Sequence, residues 1–144
     1  MEREILFSGL RIDNGKWAEG LYLKCNLTKT VFICTYMDSH PDKEGCVYVE
    51  AVEVHPHTVG QYTGLKDKNG KRIFAGDIIT RTEKPKYGGW WDGVITWHTE
   101  GSMDWVVKSL PKDERRGCYG MNYAFVVEVI GNIHQNPELL GDKQ

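Results

Sequence analysis

The stretch GLKDKNGKR, residues 64–72, sets glycines among lysines in a way that would suit a phosphate group. A Walker-type phosphate loop has four residues between its glycines, continues with Lys and then Ser or Thr, and leads into a helix. Here five residues separate Gly64 from Gly70, Arg72 stands in place of the hydroxyl residue, and RIFAGDII follows as a strand pattern. We therefore predict a two-residue hairpin loop at Asn69-Gly70 instead of a nucleotide site.

Histidines and cysteines show no spacing typical of a metal centre. His55 and His57 flank Pro56, which favours a loop over a chelating strand face. No local spacing indicates a Ser-His-Asp or Cys-His grouping. The cysteines form no CxxC pair and are expected to be buried free thiols; they are Cys25, Cys34, Cys46 and Cys118. We expect no catalytic residue, no bound metal and no cofactor.

Aromatic residues are concentrated in the second half of the chain. Trp90 and Trp91 are adjacent, and successive side chains of an extended segment point to opposite faces, so one of the two is expected to be exposed. Aromatic and arginine side chains stack on bases and dominate protein hot spots. The candidate binding surface, for a base, a nucleotide or a protein, is therefore Arg72, Arg81, Tyr87, Trp90 and Trp91. Packing between subunits would use the same groups.

Charge is unevenly distributed along the chain. The net charge of −2 is the sum of +4 from residues 66–86, with seven basic and three acidic side chains, and −6 from the rest. Charged side chains around a hairpin commonly form a solvated sheet edge that discourages strand pairing. The overall charge argues against a protein that holds nucleic acid mainly by covering phosphates. The local cluster leaves nucleic-acid or nucleotide binding as an alternative.

The elements that would position these side chains are strands. Apolar residues alternate or cluster in short runs between turn residues, and no segment keeps helical spacing over three turns. Strands are predicted at residues 4–12, 17–25, 31–37, 47–54, 62–68, 71–74, 78–82, 93–99, 103–110 and 124–133. Pro56 ends the fourth run, because proline cannot donate a ladder hydrogen bond. We place an N-terminal antiparallel β subdomain at residues 1–58 and a second subdomain at residues 59–144.

The second half favours a small, strongly curved sheet. Ile95 with Trp97, and Trp105 with Val107, form apolar stripes of period two, so both tryptophans are assigned to the core. Short strands curled by glycines are typical of an SH3-like barrel. Pro137 opens the tail, which is expected to form one helical turn. The predicted fold class is mainly β, with an SH3-like barrel in the C-terminal half.

The sequence also indicates where in the cell the protein is expected to be found. No run approaches the roughly 20 apolar residues that a membrane helix requires. The N-terminal MEREILFSGL lacks the basic and long apolar segments of a signal peptide. We therefore expect a cytoplasmic protein with no membrane partner.

Two segments resemble the signatures of a known family. QYTGLKDKNGKRIFAGDII and FVVEVIGNIHQNPELL look like the signatures of the YopX family of bacteriophage and prophage proteins, and REILFSGLRIDNGKWAEGLYL is similar to its opening strand pair. Residues 84–123 match no signature. The resemblance implies a mostly β protein with an SH3-like barrel, a prophage origin, residence in the cytoplasm of a bacterial host, and no established catalytic activity.

The signature residues themselves suit structural roles. Gly76 and Gly131 permit tight bends, and Asp77 and Asn132 can accept hydrogen bonds from turn amides. We therefore favour a non-enzymatic binding module for a host or phage macromolecule, acting through one barrel face and the loops at residues 84–92 and 111–122. Nucleic-acid or nucleotide binding by the barrel is the alternative, and an enzyme is the third hypothesis. Open edge strands and surplus aromatics also predict association into a homo-oligomer.

Overall fold

The computed structural model describes residues 4–39, 43–45, 47–82, 92–98, 104–110, 118–120 and 127–140. The described chain is mainly β, which confirms the predicted class. Its strands are β1 Phe7–Leu10, β2 Trp17–Lys24, β3 Val31–Ser39, β4 Val47–Val54, β5 Gly60–Lys66, β6 Arg72–Phe74, β7 Asp77–Arg81, β8 Asp92–His98, β9 Asp104–Ser109, β10 Cys118–Gly120 and β11 Val127–Asn132. Short 3-10 helices form at Pro56–Thr58 and at Pro137–Leu140, where the sequence predicts a helical turn.

The strands form two antiparallel sheets. Strand order is β4-β3-β2-β1-β5-β6 in the first sheet and β10-β9-β8-β7-β11 in the second. The chain divides into two compact units, Met1–Tyr62 and Thr63–Gln144. This division falls inside β5, whereas the division expected from the sequence follows residue 58.

The first unit is built from β1 to β4 with the start of β5. The turn between β1 and β2 contains Asn14, whose side-chain Oδ1 accepts a hydrogen bond of 2.9 Å from the backbone N–H of Lys16. Such a local bond is the reason that Asn favours turns. The core of this unit consists mainly of β-branched side chains on the inner face of the sheet, with Phe7 packed against them; these are Ala18, Val31, Ile33 and Val54.

The sheet of the first unit curls until the end of β4 reaches the end of β1. The backbone N–H of Ile12 donates to the carbonyl of Glu53 at 3.1 Å, and that of His55 donates to the carbonyl of Leu10 at 2.9 Å. A single β-bridge joins Arg11 and Val54 between these two bonds. The C-terminal end of β4 is thereby tied down, while the rest of its outer edge has no strand partner among the described residues.

The second unit has its core on one face of the five-stranded sheet. Ile95 and Val107 are directly opposite each other on β8 and β9, and Val127 on β11 is equally buried. Trp105 packs against this cluster, as the period-two pattern predicts. The assignment of Trp97 to the core is wrong, because its side chain is 42% exposed. It contacts Trp105 edge to face, with 4.9 Å between ring centroids, near the end of β8 where the core has ended.

The closed SH3-like barrel is not found in the described part of the second unit. Strands β10 and β11 are the two edges of the sheet, and no pairing between them is present in the described ranges. The coarse expectation of antiparallel β-structure is therefore confirmed, while the barrel stays a prediction.

Candidate interaction surface

The glycine and lysine stretch between β5 and β6 is a hairpin turn. The backbone N–H of Asp67 donates to the carbonyl of Lys71 at 2.8 Å, and the N–H of Gly70 donates to the carbonyl of Asp67 at 3.0 Å. Strand β6 follows directly, so no helix N-terminus is available for a phosphate. The turn prediction is confirmed, but its length is wrong. The loop has three residues, because Gly70 has a φ of 80° while Asn69 does not adopt a positive φ.

Asp67 organises this turn, a role that the sequence analysis missed. Its Oδ1 accepts hydrogen bonds from the backbone N–H groups of Asn69 and Lys71 at 2.8 and 3.0 Å, and its Oδ2 accepts one from Val129 at 3.0 Å. Burial opposes ionisation of this carboxyl, but the three amide donors outweigh it and hold its pKa below the ordinary value. An Asp two residues before Asn-Gly is a recognisable signal for the turn contacts. The contact with β11 is not visible from local sequence.

The two signature segments lie side by side in the second unit. Strands β7 and β11 pair antiparallel, with Asn132 opposite Asp77 and Gly131 opposite Ile78. Asp77 Oδ2 accepts a hydrogen bond from the backbone N–H of Phe74 at 2.8 Å. Asn132 Oδ1 accepts two, from the backbone N–H groups of His134 and Gln135; the distances are 3.0 and 2.9 Å. The predicted structural roles of Asp77 and Asn132 are therefore confirmed.

Glycine at position 76 is required by the turn between β6 and β7. Its φ is 91°, in a region where the backbone of a residue that carries a Cβ atom is strained. Its backbone N–H donates to the carbonyl of Ile95 at 2.9 Å, and its carbonyl accepts from the N–H of Ile133 at 3.0 Å. The turn is thus fixed by β8 on one side and by the exit of β11 on the other.

The predicted binding surface is only partly within the described residues. Arg72 lies at the start of β6 and Arg81 at the end of β7, and both side chains are half-buried. Tyr87, Trp90 and Trp91 lie outside the described residues, as do the loops at 84–92, apart from Asp92, and 111–122, apart from 118–120. The five side chains are therefore not assembled into a site by the described structure, and this surface stays a prediction.

Histidine and cysteine placement agrees only in part with expectation. His55 and His57 flank the proline that begins the 3-10 helix Pro56–Thr58, so the expected loop is confirmed. Cys34 is a buried free thiol, as predicted, whereas Cys25 is only half-buried. Hydrogen bonding from Thr28 lowers the pKa of the Cys25 thiol. Cys46 and the side chain of Cys118 fall outside the description.

Two kinds of feature are absent from the described ranges, a metal site and a membrane-spanning helix. No group of His, Cys, Asp and Glu side chains among those residues has the arrangement of a metal site. The same part of the chain contains no helix of the length and apolarity needed to cross a bilayer.

A group of exposed apolar side chains lies in the distal half of the β3–β4 hairpin. We call residues 36–50 the arm. A bulge between Cys34 and Tyr36 separates it from the buried part of the hairpin, and Met37 and Val49 then lie opposite each other. Five of its apolar side chains are 43–60% exposed; they are Tyr36, Met37, Val47, Tyr48 and Val49. A cluster of this kind commonly marks an interaction surface.

The two faces of the arm differ in chemistry. One face carries Tyr36 and Tyr48, whose rings lie edge to face with 6.3 Å between centroids, and Asp38, which accepts a 2.8 Å hydrogen bond from the Tyr36 hydroxyl. That bond raises the pKa of Tyr36. Because directly opposite residues share a face, Met37 and Val49 form the other, apolar face. The arm has four acidic residues and one lysine in sequence, a net charge of −3.

Comparison with known proteins supplies the family. A search of curated proteins found no match. Among solved structures, the chain is similar to the crystal structure of protein EF1440 from Enterococcus faecalis, with a TM-score of 0.58 and 24% identity over 97% of this chain and 100% of that one. This likeness supports the fold alone. The family model described as YopX protein matches residues 10–141. The chain therefore belongs to the YopX protein family.

Proposed function

We propose that this protein is a non-enzymatic binding module of phage or prophage origin that binds a host or phage protein through the faces of its arm. The single observation that supports this proposal is the exposure of the five apolar arm side chains. Strand edges and faces of this composition are normally covered, because exposed apolar surface costs about 25 cal/mol per Å² relative to buried surface. No catalytic step is part of the proposal.

The charge of the arm favours a protein partner over a nucleic acid. Its net charge of −3 would repel a phosphate backbone, which requires lysine and arginine contacts. Aromatic side chains with neighbouring carboxylates, such as Tyr36 beside Asp38, suit a partner with apolar and basic groups. The expected partner surface is therefore an apolar patch with a basic rim.

Affinity capture with matched variants tests this function. The double variant Tyr36→Ser with Tyr48→Ser removes both rings from one face of the arm. The control is Ile5→Ser with Leu27→Ser, because these residues are 58% and 92% exposed but lie outside the arm. We expect a specific protein to be retained from host or phage-infected lysate by the wild type and the control and to be lost with the arm variant. Equal retention by all three would refute the proposal.

Nucleic-acid or nucleotide binding is the second candidate, supported by the +4 charge of residues 66–86. Lys71 is exposed beside the β5–β6 turn, and Arg72 follows it on β6. This candidate predicts binding of a single-stranded oligonucleotide that weakens steeply with salt and decreases about tenfold in Arg72→Ala. Absence of binding at low salt would eliminate it. The SH3-like barrel, the cytoplasmic location and the remaining predicted surface at Arg81, Tyr87, Trp90 and Trp91 are expectations under both candidates.

A further inference from the structure

The outer edge of β4 offers unpaired backbone groups. In an antiparallel strand the N–H and C=O of one residue point to the same side, and this side alternates along the strand. The carbonyl of Glu53 and the N–H of His55 both point away from β3, since they bond to Ile12 and Leu10. The carbonyl of Glu50 points toward β3, where it accepts from the Thr35 hydroxyl at 3.4 Å. Odd-numbered residues therefore carry the groups of the outer edge.

Three odd-numbered residues are then available for pairing. Val47, Val49 and Ala51 direct their N–H and C=O groups to the outer edge, where no strand among the described residues pairs with them. Their side chains are exposed as well. The strand VYVEAVEV has no proline, no lysine and no bulge of its own, three of the devices that commonly protect an edge. Its charged residues are Glu50 and Glu53, so pairing with another strand depends on a register that keeps these carboxylates apart.

We propose that a second copy of this chain pairs with this edge, β4 to β4 antiparallel about a two-fold axis, with Val49 opposite Val49 of the second copy. In this register Val47 lies opposite Ala51 of the other chain, and about six backbone hydrogen bonds form between the two edges. Tyr48 lies beside Glu50 of the second copy, so no two carboxylates are directly opposite each other. The two sheets become one continuous sheet.

Two-fold registers shifted toward the C-terminal end of β4 are disfavoured by groups that the structure describes. A shift that puts the axis at Glu50 places the Glu50 carboxylates of the two copies directly opposite each other, and like charges at that position are destabilising. A further shift, to Ala51 opposite Ala51, places Val49 opposite Glu53, whose carbonyl already accepts from Ile12. Of the registers with the axis at Val49, Glu50 or Ala51, only the Val49 register satisfies both conditions. It also pairs all three outward residues within β4, whereas an axis at Tyr48 would place Ala51 opposite Gly45, outside the strand.

This inference uses the edge of the arm and not its faces, so it goes beyond the proposed function. Pairing leaves Tyr36 and Tyr48 on one side and Met37 on the other, where a partner protein can still reach them. The dimer would present two arms side by side and so bind a repetitive or dimeric partner with increased avidity.

Charge exchange at position 49 tests both the dimer and its register. Light scattering on the wild type is expected to give twice the chain mass of 16.5 kDa. Val49→Lys and Val49→Glu should each be monomeric, because each places like charges directly opposite each other. Mixing the two variants should restore a dimer. Val49→Pro provides a second variant, because it removes an outward N–H and no bond to β3.

The outcomes separate this inference from the proposed function. A wild type that remains at 16.5 kDa up to its solubility limit would overturn the dimer. This register would be overturned if Val49→Lys formed a dimer in the absence of Val49→Glu. It would also be overturned if mixing the two folded variants did not restore the dimer. The variant Tyr36→Ser with Tyr48→Ser should still dimerise while losing its protein partner. A monomeric wild type that still captures a protein through the arm would overturn the dimer alone, and a dimeric wild type that captures no protein would overturn the proposed function alone.

Discussion

Replacement of Asp67 by asparagine is expected to destabilise the second unit by about 2–3 kcal/mol at neutral pH. Asparagine keeps one oxygen, which can still accept from the amides of Asn69 and Lys71. Its NH₂ group must then face the N–H of Val129, where the carboxylate now accepts a bond of 3.0 Å. Two donors cannot bond to each other. The variant therefore loses one charge-assisted hydrogen bond and leaves a half-buried N–H without its acceptor.

The size of the effect follows from that single contact. A hydrogen bond to a charged group contributes about 1.5–3 kcal/mol, and an unsatisfied buried donor costs a similar amount. The two turn bonds are retained, so the loss should stay below that of Asp67→Ala, which removes all three acceptor contacts. We expect about 3–4 kcal/mol for the alanine variant, provided that no water enters to replace the carboxylate.

Urea denaturation followed by tryptophan fluorescence measures these changes, since Trp105 packs on the core of the same unit. The control is Glu53→Gln, which removes one negative charge from an exposed side chain of the first unit. It should leave the urea midpoint of the second unit unchanged.

The pH dependence gives an independent check. The folded-state pKa of Asp67 lies below that of the unfolded chain, about 3.9 for aspartate. The ionised carboxylate therefore makes its full contribution to the free energy of unfolding above about pH 4. This contribution is lost as the pH falls through the lower, folded-state pKa. The difference in stability between wild type and Asp67→Asn should shrink over the same interval. A difference below about 0.5 kcal/mol at pH 7, or one that does not change down to pH 2, would refute this reasoning.

Three further perturbations follow from the same structure. Gly76→Ala should cost about 1–2 kcal/mol in a urea titration, because alanine is strained at positive φ, and an unchanged midpoint would contradict that turn geometry. Ile79→Ala, at a fully buried position, should cost about 2–5 kcal/mol, whereas Leu27→Ala should have almost no effect on thermal unfolding. Salt should strengthen the proposed dimer, since each arm carries −3, and sedimentation that shows dissociation with increasing salt would count against β4 pairing.

The strand and turn pattern could be predicted from the sequence because the signals are local. Asn69 and Gly70 identify the β5–β6 turn, and alternation of Ile95, Trp105 and Val107 identifies the inner face of the second sheet. The loop length was wrong because Asn-Gly suits two different hairpin turns, and the choice depends on how Asp67 bonds to the turn amides.

How deeply a side chain is buried was harder to predict from the sequence than the face of the sheet on which it lies. A period of two assigns Trp97 to the same face as Ile95, but it does not say where along the strand the core ends. The apolar residues of β4 likewise do not indicate where along the strand burial ends. In the structure Val54 is buried while Val47 is 60% exposed, because the hairpin extends past the core of its sheet. The candidate site could not be located for the same reason, since exposure depends on the length of each strand relative to its neighbours.

The position of β7 determines when this protein can finish folding on the ribosome. β7 lies between β8 and β11, and both of these are translated after it. A nascent chain therefore emerges with Ile78 and Ile79 on a strand that has no neighbours, and its second neighbour is complete only after residue 132 has been added. Chains released by premature termination before residue 127 would keep one side of β7 open. Such fragments are expected to be bound by chaperones or to aggregate.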